Sequence, residues 1–161
     1  DVLNVRIIAV GRLKERFLTE GIKEYSKRIA RYGRLVIVEL KEELFKEPLS
    51  SRERELIMFR EGERILNQLG TRSFVCVLDR TGDQMSSQDL ADKMSKLAVS
   101  GVSQMDFVIG GSLGLDQRVL DRADSVLSFS EFTFPHQLMR LILVEQVYRA
   151  MTIIRGERYH K

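Results

Sequence analysis

The last residues of the chain combine cationic, aromatic and imidazole side chains beyond a predicted helix end. Gly156 is expected to end that helix, with Arg155 before it and Tyr159 and His160 after it. Guanidinium groups bind phosphates and tyrosine rings stack on unpaired bases, so this tail suits contact with RNA. The imidazole of His160 can take up a proton near neutral pH. A frayed, unanchored tail is the alternative interpretation.

Two other segments have the composition of ligand-binding loops. Residues 108–115 contain three glycines, which let backbone N–H groups approach a ligand closely. Residues 127–136 offer hydroxyls and aromatic rings, as an adenine pocket requires. On spacing alone the glycine run is equally a plain tight turn, because it lacks both the dinucleotide pattern and the lysine of a phosphate loop. Core packing is the alternative for the three rings, which belong to Phe129, Phe132 and Phe134.

The segments that must position these loops alternate between strand and helix patterns. Short apolar runs predict strands over 5–10, 35–40, 74–78, 105–109 and 125–129. Helical spacing or capping signals predict helices that begin near Phe17, Ser50, Ser86 or Ser87, Asp116 and Pro135.

This alternation predicts an α/β fold with a mostly parallel sheet of five to six strands and helices on both faces. Ligands bind beyond the carboxyl ends of such strands, so the loops after Leu78, Ile109 and Phe129 are the candidate site.

The final predicted helix is apolar almost all the way round. Since the sheet of a small chain covers only one face of a helix, a second copy of the chain is predicted to cover the other. Glu145 of this helix either pairs with Arg140 or Arg149 or lies at a site. The predicted homodimer contacts are Leu141, Val144 and Tyr148.

Length and composition exclude several classes of protein. A chain of 161 residues with 43% hydrophobic and 30% charged residues is typical of one globular domain, here 1–161. The single cysteine, Cys76, excludes an internal disulfide and a multi-cysteine metal site, and we expect no metal. No apolar run approaches the roughly 20 residues of a membrane helix. The first predicted strand leaves no room for a secretion signal ahead of it, so we expect a cytoplasmic protein without membrane contact.

The net charge of +3 says little about partners, but the cations are clustered. Lys27, Arg28, Arg31 and Arg34 lie near the end of the first predicted helix. Both a solvated helix end and contact with a polyanionic partner explain this cluster.

Six sequence blocks together resemble the ribosomal RNA large-subunit methyltransferase H family, which belongs to the SPOUT, or α/β-knot, class. The resemblance extends over essentially the whole chain. The blocks are 8–14, 107–111, 127–130, 133–137, 145–150 and 155–161.

The resemblance implies a deep C-terminal trefoil knot, a homodimer and S-adenosylmethionine as cofactor. It also implies N3-methylation of a pseudouridine in 23S rRNA, presented as free rRNA, as the large subunit or as the assembled ribosome. The family's cofactor positions correspond to Leu78, Gly110, Phe129, Ser130, Glu131, Phe132, Thr133 and Phe134. At Glu131 and Phe132 many members have Lys and Met.

For such a reaction His160 is the first candidate for the base, with Arg155 and Tyr159 holding the nucleotide. Two other functions stay open on sequence alone. A non-catalytic RNA-binding module needs only the basic clusters and the tail. A nicotinamide-dependent oxidoreductase needs a second domain and an acidic residue in ribose-binding register at the end of a second strand, neither of which the pattern offers. Binding of S-adenosylmethionine or of NAD would separate the three hypotheses.

Overall fold

The computed structural model describes residues 3–161, and Asp1 and Val2 lie outside it. Its strands are β1 (Asn4–Val10), β2 (Leu35–Leu40), β3 (Phe74–Asp83), β4 (Gln104–Ile109) and β5 (Ser125–Leu127). They form one sheet in the order β2-β1-β4-β3-β5, and every neighbouring pair is parallel. The predicted α/β class is confirmed, with five strands in the described part of the chain.

The helices are α1 (Arg16–Ile29), α2 (Ser51–Gln68), α3 (Ser87–Val99), α4 (Gln117–Arg122) and α5 (His136–Ile154). The larger core lies between the sheet and the layer of α1, α3 and α5. A smaller core lies on the other face, under α2 and α4. Both faces of the sheet are therefore covered by helices, as parallel strands require.

Two helix starts follow directly from local sequence. Ser50 accepts a hydrogen bond from the N–H of Glu53, and the Glu53 carboxylate accepts one from the N–H of Ser50. Ser86 and Asp89 form the same reciprocal box, which decides between Ser86 and Ser87 as the start of α3. Each box satisfies two backbone donors that the first helical turn leaves unpaired.

Helices of the same chain cover part of the apolar circumference of α5. The helix packs on the sheet with α1 on one side and α3 on the other. Val144 is fully buried within the chain, so the prediction of a dimer contact at this residue is wrong. Leu141 lies so close to Gly21 of α1 that a Cβ there would be 3.0 Å from its methyl carbons, and Tyr148 contacts Tyr25. Both side chains stay partly exposed, and their contact with a second copy remains a prediction.

The strands beside the candidate site differ in length from the prediction. β3 continues past Leu78 to Asp83 after an irregularity, and Leu127 of β5 pairs with both residues. β5 ends at Leu127 and does not reach Phe129. The β5 backbone runs so close to Gly82 that a Cβ there would be 2.5 Å from the carbonyl of Val126. The polar sequence of residues 79–83 concealed this extension.

Cys76 is buried in the main core, and burial raises the pKa of its thiol. Within residues 3–161 no group of three or more His, Cys, Asp or Glu side chains is placed to hold a metal ion. None of the helices there is long and apolar enough to cross a membrane.

Candidate active site

A cavity of about 660 Å³ opens at the carboxyl edge of the sheet. Its walls are the second half of β3 and the loops that follow β4 and β5, at the strand ends where open parallel sheets bind their ligands. Met58 of α2 and His136 and Met139 of α5 close its sides. The volume falls in the range of small-molecule pockets, roughly 300–1,000 Å³.

The cavity brings together seven of the eight predicted cofactor positions: Leu78, Gly110, Phe129, Ser130, Phe132, Thr133 and Phe134. Glu131 is exposed and does not line it. A glutamate at position 131, where many members of the resembled family have lysine, therefore does not change the lining of the cavity.

Gly110 contributes to this wall through its backbone. A Cβ on Gly110 would point into the protein, 2.8 Å from a methyl carbon of Leu115 and 3.3 Å from the carbonyl oxygen of Gly114. The residue is glycine because the turn packs tightly against itself. A larger residue here would disturb the loop and would not simply block the cavity.

Short side-chain hydrogen bonds hold the loop after β5. The Ser128 hydroxyl donates to the carbonyl of Ser130 at 3.1 Å, and the hydroxyl of Ser130 accepts from the N–H of Phe132 at 3.0 Å. Phe129 packs partly against the main core, whereas the ring of Phe132 is 78% exposed. The core-packing alternative thus fits Phe129 and fails for Phe132.

A second cavity of about 240 Å³ lies beside the first, between the start of α3 and the outer side of α5. Phe129 and Phe134 line both cavities and so form the partition between them. Ser87 donates a 2.6 Å hydrogen bond to Gln146 beside it, which ties α3 to α5.

The buried carboxylate of Glu61 lies against the glycine loop. Glu61 is 5% exposed, and its Oε2 accepts a 2.9 Å hydrogen bond from the N–H of Glu43. Its Oε1 would lie 2.8 Å from a Cβ on Gly111. Burial raises the pKa of Glu61. Glu61 was not predicted as a site residue from the sequence. It lies at helical spacing between Ile57 and Ile65, where it interrupts the apolar face of α2.

His136 was also missed as a wall residue, although it begins α5 directly after the aromatic loop. It is half-buried, and burial lowers the pKa of its imidazole, partly opposed by nearby Glu42. The ring is therefore neutral at neutral pH, so it can donate or accept a hydrogen bond at the cavity wall.

The C-terminal tail is anchored, contrary to the frayed-tail interpretation. Gly156 adopts a φ of +70° and turns the chain back along α5. The Tyr159 hydroxyl donates to Glu145 at 2.7 Å, and its ring meets Tyr148 edge-on with centroids 4.6 Å apart. Burial and the hydrogen bond to Glu145 raise the pKa of Tyr159. Its phenol therefore stays protonated as a donor.

Glu145 pairs with Arg149 at 2.8 Å, one of the two arginines predicted for it. The other, Arg140, is buried and instead binds Glu39 at 2.5 Å and the carbonyl of Gly11 at 2.9 Å. The structure thus joins α5 to the tail through the Glu145–Arg149 pair.

Arg149 of this pair also contacts His160. Nη1 of Arg149 lies 3.1 Å from Nδ1 of His160. Because a guanidinium only donates hydrogen bonds, Nδ1 is the acceptor in this contact. His160 can therefore accept a substrate proton only after it leaves Arg149.

The predicted catalytic residues lie together but away from the cavity of the same chain. Tyr159 and His160 share the Glu145–Arg149 pair, whereas exposed Arg155 lies 5.8 Å from the ring centroid of Tyr32. Arg149 is ten residues beyond Met139 of the cavity wall, or about 15 Å along the helix axis. The two candidate sites occupy opposite ends of α5.

Comparisons with known proteins agree with this architecture. A family model described as "predicted SPOUT methyltransferase" matches residues 3–160. The chain is 52% identical to the ribosomal RNA large subunit methyltransferase H of Alkaliphilus oremlandii over 159 residues, which cover 99% of this chain and 100% of that protein. The protein of the same name from Bacillus pumilus is also 52% identical, with the same coverage.

Among solved structures, the tRNA (m1G37) methyltransferase of Aquifex aeolicus matches with a TM-score of 0.54 over 98% of this chain and 75% of that chain. Its sequence identity is 16%, so this likeness concerns the fold alone. The two close relatives and the full-length family match carry the assignment. The chain therefore belongs to the ribosomal RNA large subunit methyltransferase H family of SPOUT methyltransferases.

Proposed function

We propose that this protein is a cytoplasmic methyltransferase that uses S-adenosylmethionine to methylate N3 of a pseudouridine in 23S rRNA. The observation that carries the proposal is the cavity at the carboxyl edge of the sheet, which gathers seven of the eight positions that the family resemblance assigns to the cofactor. The printed names of the close relatives, which specify large-subunit rRNA, support the choice of substrate.

The residues of the cavity fit S-adenosylmethionine by size and chemistry. The glycine loop offers close backbone approach, and Phe129 and Phe134 offer apolar faces for an adenine ring. When bound, the cofactor supplies an electrophilic methyl group on a sulfonium centre. A nicotinamide dinucleotide is disfavoured because the glycine run follows β4 and lacks the dinucleotide spacing.

The tail residues supply the remaining functions in this proposal. Arg155 and Tyr159 hold the target nucleotide, through its phosphate and its base respectively. The N3 imide attacks well only after it loses its proton, and His160 is the proposed acceptor of that proton at Nδ1. Binding of RNA must then draw His160 away from Arg149, whose guanidinium is left to stabilise the imide anion.

We include in the proposal a homodimer in which the tail of one protomer covers the cavity of its partner. Two observations support it. The tail and the cavity lie at opposite ends of α5, so one chain does not combine them. Leu138 and Ile142 on α5 are partly exposed, and Ile142 lines the smaller cavity beside the aromatic loop. Light scattering at nanomolar concentration should give the mass of two chains, and a stable monomer would contradict this part.

The C-terminal trefoil knot is a further part of the proposal. The match of nearly the whole chain to the SPOUT family model supports it, because this class is also called the α/β-knot class. Leu127 of β5 pairs with both Leu78 and Asp83 of β3. The intervening residues of β3 therefore depart from the regular strand between these two points.

The decisive experiment supplies S-adenosylmethionine with a labelled methyl group to three substrates. These are whole ribosomes, naked 23S rRNA, and ribosomes from cells unable to make the pseudouridine. We expect label in 23S rRNA only where the pseudouridine is present, and nuclease mapping should place it on N3. Transfer only to an unrelated RNA or to a protein would overturn the substrate while leaving the methyltransferase assignment intact.

A further inference from the structure

All four tyrosines of the chain meet on one surface. Tyr148 of α5 lies at the centre, with its ring centroid 5.8 Å from Tyr25, 6.1 Å from Tyr32 and 4.6 Å from Tyr159. Tyr25 belongs to α1, Tyr32 to the turn after it, and Tyr159 to the tail. Residues that lie far apart in sequence thus form one continuous aromatic cluster, at the ends of α1 and α5 remote from the large cavity.

Four arginines are interleaved with these rings. Arg28 lies 5.3 Å from the ring centroid of Tyr25, and Arg149 lies 4.7 Å from that of Tyr159. Arg31 and Arg155 each lie 5.8 Å from the ring centroid of Tyr32. The first basic cluster of the sequence and the C-terminal cluster therefore meet at a single tyrosine. We call these eight residues the tyrosine–arginine surface.

The arginines of this surface differ in how far their charge is already paired. Arg28 faces Glu24 at 3.7 Å, and Arg149 faces Glu145 at 2.8 Å. In residues 3–161 no carboxylate comes within 4.0 Å of Arg31 or Arg155, and both are exposed. Arg34, three residues beyond Arg31, is exposed and equally without such a carboxylate in that range. Within the described residues, Arg31, Arg34 and Arg155 thus lie near Tyr32 without a salt bridge, and the carboxylate beside them, Glu157, accepts a hydrogen bond from the Tyr32 hydroxyl.

We propose that the tyrosine–arginine surface is an RNA-docking surface that holds backbone phosphates and an unstacked base flanking the target nucleotide. Arg31, Arg34 and Arg155 bind the phosphates, and the ring of Tyr32 with its guanidinium neighbours provides the stacking platform. The inference rests on the proposed function for the choice of RNA, but it assigns a role to α1 and its following turn, which the methyl-transfer site does not use.

RNA fits this surface better than an acidic protein does. Carboxylates need only the cations, whereas four clustered tyrosines among arginines add flat apolar faces on which bases stack. The whole chain carries a net charge of only +3, so the accumulation of cations here is local and not a general property of the surface.

The test compares two double variants of the full-length protein in binding to a fluorescein-labelled RNA stem-loop with an unpaired loop. Arg31→Gln with Arg34→Gln removes two proposed phosphate contacts. Arg52→Gln with Arg72→Gln is the control, because both arginines are exposed and have no carboxylate within 4.0 Å in the described chain. Arg52 lies in the first turn of α2, and Arg72 lies in the turn between α2 and β3. Binding is titrated at several KCl concentrations, without cofactor.

We expect the Arg31/Arg34 variant to bind roughly 10-fold more weakly near 0.1 M KCl, with a slope of log K against log salt smaller by roughly 1.5. The control variant should bind within about 2-fold of the wild type. Unchanged RNA affinity in the Arg31/Arg34 variant, or equal losses in both variants, would overturn the proposal. Loss of binding to polyglutamate with RNA binding retained would assign the surface to an acidic protein instead.

This binding assay requires no methyl transfer. If the pseudouridine is not methylated but the Arg31/Arg34 variant still loses RNA affinity, the proposed reaction fails and the docking surface stands. Thermal unfolding and calorimetric titration with S-adenosylmethionine, both expected to be unchanged, verify that the variant is folded.

Discussion

The two ends of α5 are built in different ways. At its N-terminal end, His136 and Met139 border a cavity whose walls are mainly loop backbone and apolar side chains. At its C-terminal end, Tyr148 and Arg149 belong to a network of rings, guanidinium groups and carboxylates. The first end suits a compact ligand enclosed by the protein, and the second suits an extended polyanion that lies on its surface.

The contrast shows that one helix can hold two candidate binding sites of a transfer reaction apart. Since α5 is 19 residues long, its ends are about 28 Å apart, and changes at one end should leave binding at the other unaltered. In the proposed reaction, productive transfer requires both ends, and the proposed second protomer brings them together.

The largest difference between effects at the two ends of α5 is expected when the tail is shortened. Deletion of residues 159–161 should reduce methyl transfer by roughly 10³-fold or more, because the groups that orient the nucleotide are lost. The affinity for S-adenosylmethionine, measured by calorimetry, should stay within about 2-fold. Removal of Lys161 alone is the control and should retain most activity. A matching loss of cofactor affinity in the shortened protein would show that the two ends are not independent.

Substitution of His160 is expected to have the next largest effect. His160→Ala should lower single-turnover methyl transfer by about 10²-fold near pH 7 if the imidazole is the base. The deficit should shrink as the pH rises, because the imide then ionises without help.

A deficit in His160→Ala that stays constant over the whole pH range would contradict the role of base and indicate positioning. His160→Gln is the matched control, since it keeps a hydrogen-bond acceptor for Arg149 but cannot take up the proton.

A smaller effect, confined to the other end, is expected from Phe134→Ala. Loss of an aromatic wall residue should weaken binding of S-adenosylmethionine about 10-fold while RNA affinity is unchanged. Phe17→Ala provides the control, because that ring is 65% exposed on α1 and does not line the cavity. Equal calorimetric affinities in the two variants would remove the aromatic loop from the cofactor site.

The smallest effect on ligand binding at either end of α5 is expected from a substitution far from both ends. Asp106 of β4 is fully buried and binds Arg6 at 3.0 Å. Burial alone would raise the pKa of Asp106, but the hydrogen bond and charge of Arg6 and the N–H of Gly70 outweigh it and hold the pKa below its ordinary value. Asp106→Asn should cost about 3 kcal/mol of unfolding free energy at pH 7, since Arg6 loses its partner.

The sign of the pH dependence follows from the lowered pKa of Asp106. Its contribution to stability is fully present above the unfolded-state value of about 3.9 and is lost as the pH falls through the lower folded-state value. Denaturant unfolding from pH 7 to 2 should therefore show a smaller difference between wild type and Asp106→Asn at the acid end. Both binding affinities per folded molecule should be unchanged, and a constant stability difference would contradict the assignment.

The cavity end was largely predictable from sequence because its signals are local. Strand-ending glycines, the capping box of Ser50 and Glu53, and the position of loops at strand ends are all read within a few residues. Even here the extension of β3 was missed, since residues 79–83 are polar and pair with β5 only through tertiary contact. Glu61 was missed for the same kind of reason, because its burial depends on where the glycine loop packs.

The tail end was predictable in composition but not in arrangement. The contacts of Tyr159 and His160 fall on Glu145, Tyr148 and Arg149, about one and a half to two and a half turns before the end of α5, and they need the reversal at Gly156. The meeting of α1 with the tail depends on helix packing between segments more than 100 residues apart. The periodicity of a sequence carries no information about contacts between segments that lie so far apart along the chain.

The hydrogen bond between Tyr159 and Glu145 has a consequence for the energetics of recognition. Ordering one residue from a disordered chain costs about 1–2 kcal/mol, so a free tail would lose much of its contact energy with RNA at the moment of docking. Here folding itself restrains the tail beforehand. An RNA that replaces Glu145 as the partner of Tyr159 exchanges one hydrogen bond for another, and an RNA that offers no suitable group meets a tail that stays closed on its own helix.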